Sequence, residues 1–138
     1  MSTKIKTKNM SKKLLFPKVL FLLLLFLASS CNAQNSSSSG KSVVLNQEEF
    51  KSQISGKKVQ LIDVRSPEEF NDGHISNSKN INYNSAEFKE EVSKLDKSKP
   101  VYVYCQAGGR SAAAAKVLVQ MGFSKVYDLK GGYGSWKN

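Results

Sequence analysis

The chain is poor in thiols and in metal ligands. Its 138 residues include one histidine, His74, and two cysteines, Cys31 and Cys105. A single histidine excludes the usual zinc-ligand spacings, and there is no C-x-x-C pair. There is also no H-E-x-x-H, no G-x-G-x-x-G and no Walker A loop, so zinc peptidases, dinucleotide binders and P-loop enzymes find no support. No internal repeat is visible. The apolar run from Val19 to Ala28 has ten residues, too few to span a bilayer as a helix. Acidic residues are missing from the first 30 positions, which carry six lysines (Lys4, Lys6, Lys8, Lys12, Lys13, Lys18). Most of the formal charge of +10 therefore sits there, and the rest of the chain has 15 basic and 11 acidic residues, or +4. With both signs interspersed, that remainder is an ordinary solvated surface and not a nucleic-acid stripe.

A lysine-rich start followed by a short apolar core is the pattern of a signal peptide, expected over residues 1–30. Met10 offers an alternative start with a shorter basic region. Leu27-Ala-Ser-Ser-Cys31 resembles a bacterial lipobox, although Ala28 stands where a large aliphatic residue is preferred. That resemblance implies lipidation of Cys31 and a membrane anchor facing the periplasm, with the outer membrane favoured because no acidic residue follows the cysteine. The alternative is an ordinary cleaved signal peptide with an incidental Cys31. Residues 31–41, CNAQNSSSSGK, then read as a flexible linker, and residues 42–138 as the folded domain.

From Ser42 the pattern alternates strand and helix. SVVL, Val59–Arg65, KNINY, Val101–Cys105 and KVYDL read as strands. Between them, Asn46 and Glu49 frame a capping box, and Ser66-Pro67 marks a second helix start. Phe88, Val92 and Leu95 give a third helix its apolar face, and SAAAAKVLVQMG is a strong helix ended by Gly122. The last residues suggest a short helical turn near Trp136. Such alternation implies an α/β sandwich around a mainly parallel five-stranded sheet, with ligands at the carboxyl ends of the strands.

Cys105 stands at one of those ends, in CQAGGRS. Gly108 and Gly109 allow positive φ, which turns successive N–H groups toward one point. Ser111 is placed to cap the next helix, and Arg110 adds a charged fork suited to oxyanions. A thiol in that field is activated as a thiolate nucleophile. The same residues also fit an inert buried cysteine before a glycine turn, and by themselves they leave both readings open.

The wider pattern adds a resemblance. Asp63-x-Arg65 at a strand end, the run Glu69-Phe-x-x-Gly-His-Ile75, the loop Cys105-x-x-Gly-x-Arg-Ser111 and the terminal Gly131-Gly132 before Trp136 resemble, in order, the rhodanese-homology family. The resemblance covers about Ser42 to Trp136. It implies a three-layer rhodanese-like sandwich and sulfur transfer by a single domain. Cys105 would attack the outer sulfur of a donor such as thiosulfate and carry a persulfide to a thiol acceptor. The N–H groups of Gln106, Ala107, Gly108, Gly109, Arg110 and Ser111 would hold the anionic sulfur, with Arg110 binding the donor. Arg65 is a second possible anion contact, although Asp63 and Arg65 fit better as a pair fixing the strand end. No cofactor or metal is implied, and a monomer is expected. Cdc25-type phosphatases resemble rhodaneses but separate Cys and Arg by five residues; here Gln106, Ala107, Gly108 and Gly109 are four, the sulfurtransferase spacing. A non-catalytic module that binds a partner or carries persulfide is the alternative from another class. His74 and Glu69 are expected to be structural, and Tyr133 and Trp136 to pack at the terminus or edge the pocket.

Overall fold

A computed structural model describes residues 40–136. Cys31 and nearly all of the expected linker lie outside the described residues. The order is β1 (Lys41–Leu45), α1 (Gln47–Ile54), β2 (Gln60–Asp63), α2 (Pro67–Asn71), β3 (Lys79–Asn80), α3 (Phe88–Ser93), β4 (Val101–Tyr104), α4 (Gly109–Gln120), β5 (Lys125–Leu129) and α5 (Gly132–Trp136). The five strands form one sheet in the order β1-β5-β4-β2-β3, and every neighbouring pair is parallel. This is the expected α/β sandwich. Lys41 already pairs with Lys125, so the domain's first strand starts one residue before the expected linker boundary.

Local signals place the helix starts. Asn46 accepts from Glu49 N–H at 2.9 Å while the Glu49 carboxylate accepts from Asn46 N–H at 3.1 Å. Ser66 and Glu69 form the same reciprocal box at α2, with Pro67 just inside the helix. Each box satisfies two N–H groups that a helix start would otherwise leave unpaired.

β4 is buried along its whole length. Its side chains alternate between two cores. Val101, Val103 and Cys105 join Ala114, Ala115 and Leu118 of α4, while Tyr102 and Tyr104 face Phe50 of α1, Leu61 and Leu129. Burial of a side chain such as Leu118 contributes about 2 kcal/mol. These two cores fix β4 in the middle of the sheet and aim its carboxyl end at one place.

Three elements differ from expectation. β2 and β3 are shorter than Val59–Arg65 and KNINY, ending at Asp63 and Asn80. Isolated bonds still run on, from Val64 N–H to Tyr104 O at 3.0 Å and from Tyr83 N–H to Val64 O at 3.1 Å. α4 begins at Gly109, not at Ser111. Gly108, with φ of 108°, is the residue before the helix, and Ser111 lies buried within the first turn. Its hydroxyl donates to Gly108 O at 3.1 Å, so Ser111 does not cap the helix as expected.

Candidate active site

β4 delivers Cys105, and α4 begins four residues later. Cys105 is a free thiol, 2 % exposed, at the floor of the connecting loop. The left-handed backbone at Gly108 turns that residue's N–H onto the sulfur, with N···Sγ 3.0 Å. Burial raises the thiol's pKa. Against it stand the Ser111 hydroxyl and the N–H groups of Ser111, Gly108 and Ala107, which together hold it below the ordinary cysteine value. The sulfur is thus the focus of several donors at a helix N-terminus. Gln106, Ala107 and Gly109 are exposed, so the rim of the loop is open while its floor is closed.

Arg110 is not a free cation. Its fork grips Glu69 through Nη1 to Oε2 at 2.6 Å and Nη2 to Oε1 at 2.8 Å. Glu69 Oε2 also accepts the Ser66 N–H at 3.0 Å, so one carboxylate closes the α2 capping box and anchors the α4 start. The Arg110 hydrogen bonds are the main cause holding the Glu69 carboxyl at about 2.

Arg65 is buried, and each of its three guanidinium nitrogens donates to a partner. Nε and Nη2 reach Asp63, Nη2 also reaches Gly73 O at 2.7 Å, and Nη1 donates to Gln106 Oε1 at 3.1 Å. Its guanidinium lies 4.3 Å from the Tyr133 ring centroid. This geometry makes Arg65 a brace between the β2 end and the loop. Its side chain is 3 % exposed.

A further support was not foreseen from the sequence. Tyr133 N–H donates to Cys105 O at 2.7 Å and Gly134 N–H to Gln106 O at 3.0 Å, so the start of α5 holds two loop carbonyls. Gly132 has φ of 60°, and a Cβ there would sit 2.4 Å from Cys105 O and 2.7 Å from Gln106 C. The paired glycines after KVYDL are its sequence signal. The face they pack on is not visible in sequence.

His74 is exposed. Its ring stacks on Phe70 at 3.8 Å, with Nδ1 2.9 Å from Phe70 O. Trp136 packs edge-on against Phe50 at 6.3 Å. Among the described residues, no three His, Cys, Asp or Glu side chains come together as a metal site. A cleft of about 660 Å³ lies between the end of α1, the start of β2 and Trp136, and no loop residue from 105 to 111 lines it. The donors converging on Sγ, and not cavity size, mark the loop as the site. They suit an anionic sulfur and whatever the sulfur carries.

Residues 46–138 match the rhodanese-like domain family. A protein of Bacillus subtilis (strain 168) called uncharacterized protein YqhL is 42 % identical over 92 residues, covering 67 % of this chain and 70 % of that protein. The thiosulfate sulfurtransferase GlpE of Coxiella burnetii (strain RSA 331 / Henzerling II) is 37 % identical over 84 residues, 61 % of this chain and 77 % of that one. In three dimensions, the crystal structure of a rhodanese-like domain protein from Staphylococcus aureus superimposes with a TM-score of 0.60 at 29 % identity, covering 67 % of this chain and 89 % of that one.

Proposed function

The chain belongs to the rhodanese-like domain family, and we propose that it is a sulfurtransferase working through a persulfide on Cys105. The observation that carries this reading is the Gly108 N–H on Cys105 Sγ at 3.0 Å, within a loop that puts four residues between the cysteine and Arg110. The thiolate attacks the outer sulfur of a donor such as thiosulfate. The donor's S–S bond breaks, sulfite leaves with the bonding electron pair, and Cys105 carries the sulfur as a persulfide. A thiophilic acceptor, cyanide or a cellular thiol, then attacks the outer sulfur and returns Cys105 to a thiolate. The likeness to thiosulfate sulfurtransferases supports this choice of donor.

The loop does its work by preorganisation. Its N–H groups already point at the sulfur, so no reorientation is needed as negative charge moves along the S–S bond. Arg110 is held in place by Glu69, which fixes its position at the loop rim and offsets part of its charge. The reaction needs no proton carrier once the thiolate is formed, in keeping with the outward position of His74. Thiocyanate formation from thiosulfate and cyanide tests the reading. Wild type turns over and Cys105→Ser does not; absence of turnover in both, with no sulfur added to Cys105, refutes it and favours a binding module.

For the N-terminal segment, we propose lipidation of Cys31 and an anchor in the cell envelope. The basic start, the apolar run and the small residues before Cys31 support it. Labelling cells with a fatty acid tags wild type but not Cys31→Ala; equal labelling of both rules the anchor out.

A further inference from the structure

Asp128 lies on β5, buried to 4 % exposure, with Oδ1 enclosed and without a hydrogen-bond partner. A buried carboxylate oxygen left unpaired is costly, and its retention calls for a reason. Its position supplies one. Asp128 stands opposite Val103 in the β4–β5 register, two residues before the Cys105 that ends β4. It stands two residues after Val126 on β5 and so shares the face of Val126, which packs with Ala114, Ala115 and Leu118 of α4. Asp128 therefore lies on the face of the sheet that α4 covers, beneath the first turn where Ser111 is buried. On its other side β1 brings Val44 into register.

Ser111 links the two sites. Its hydroxyl lowers the pKa of the Cys105 thiol above it and of the Asp128 carboxyl below it. Burial, opposed by Ser111, pushes Asp128 up to about 6. The groups set around the carboxyl are thus Val44 from β1, Val103 from β4 and Ser111 from α4, with Cys105 the titratable group beyond that serine. A hydroxyl has one hydrogen to donate. Cys105 Sγ, Gly108 O and an ionised Asp128 all compete for it.

We propose that Asp128 is a positioning residue for Cys105, which controls through the Ser111 hydroxyl how much thiolate the loop holds. When Asp128 is protonated it donates to Ser111 Oγ, and Ser111 is free to donate to the sulfur. When Asp128 is ionised it draws the Ser111 hydrogen toward itself and adds a second negative charge beneath the thiolate. The two anions therefore oppose each other, and their titrations are coupled. This role rests on Cys105 acting as a thiolate, as in the proposed function. It is read without any sulfur-transfer assay, so the two fail separately.

The test is the pH dependence of iodoacetamide alkylation in the full chain, followed by mass on the Cys105 peptide so that Cys31 does not contribute. Two neutral replacements are compared. Asp128→Asn keeps the shape and can donate to Ser111, and Asp128→Val gives the apolar side chain carried by the neighbouring strands. Both should move the alkylation midpoint to lower pH. At pH 7 each should raise the rate about threefold, a fraction of what one hydrogen bond to a charged group supplies. The wild-type profile should also be broader than a one-proton curve, and the Asp128→Asn profile should match one. In a Ser111→Ala background, Asp128→Asn should produce less than half of that shift. Unchanged profiles in both replacements overturn the proposal, as does a shift equally large without Ser111.

Discussion

Replacing Gly132 with alanine should damage the site from beneath while leaving every side chain of the Cys105–Ser111 loop in the sequence. The new Cβ would lie 2.4 Å from Cys105 O and 2.7 Å from both the carbon and oxygen of the Gln106 carbonyl. All three are backbone atoms, so no rotamer change relieves the overlap. Either α5 backs away or the loop moves, and both stretch the bonds from Tyr133 and Gly134 to the loop carbonyls. The φ of 60° adds roughly 1–2 kcal/mol for any residue with a Cβ. Losing one of the two bonds adds about 1 kcal/mol. A total of about 2–3 kcal/mol is expected in urea unfolding. Because a loop displaced by roughly 1 Å loses alignment of its donors, kcat/KM for thiocyanate formation should fall about 100-fold. Gly56 is a matched control, since its φ is 69° but a Cβ there meets nothing within 4 Å. Gly56→Ala should lose about 1 kcal/mol and no activity. If Gly132→Ala keeps wild-type activity, or if the two variants behave alike, the reasoning about α5 holding the loop is refuted.

Other outcomes follow from the charges. Glu69 is held at about 2, below its ordinary 4.5, so its contribution to stability is present above pH 4.5 and is lost as pH falls through 2. Glu69→Gln should remove that acid-limb slope in unfolding titrations and cost about 1 kcal/mol at pH 7, a modest value because both partners are partly exposed. Asp128 has the opposite sign. Its folded value of about 6 exceeds the unfolded 3.8, so folding favours its protonated form and stability falls between pH 4 and 6 as it ionises. Asp128→Val should therefore be more stable than wild type at pH 8, by up to about 3 kcal/mol, with the gain vanishing near pH 4 in the same titrations. Arg65→Met should lower stability by about 3 kcal/mol and leave KM for thiosulfate within about twofold, because the guanidinium braces Asp63, Gly73 and Gln106. A KM raised tenfold would make Arg65 an anion contact after all.

Much of the scaffold was legible because its signals are local. The Asn46–Glu49 capping box and the Ser66-Pro67 helix start each lie within four residues, and the run VYVYC is apolar enough to be a buried strand. The place of Cys105 at that strand's end followed from the same pattern. What sequence did not reveal depends on distant packing. Glu69 and Arg110 are 41 residues apart, so nothing in CQAGGRS tells that its arginine is already gripped. Ser111 looked like a cap because serine at a helix start usually is one, but Gly108 takes that position and the hydroxyl turns inward. KVYDL hides its buried aspartate, since a charged residue in a strand ordinarily marks a solvent face. Gly132 was visible as a glycine, while the loop backbone it supports was not.

The persulfide on Cys105 is the direct measure. Full-length protein is incubated with thiosulfate without an acceptor, and the Cys105 peptide is weighed. It should gain the mass of one sulfur atom and lose it when cyanide is added, with equimolar thiocyanate released. An unmodified Cys105, in protein whose Cys105 still alkylates readily, would contradict sulfur transfer through this residue.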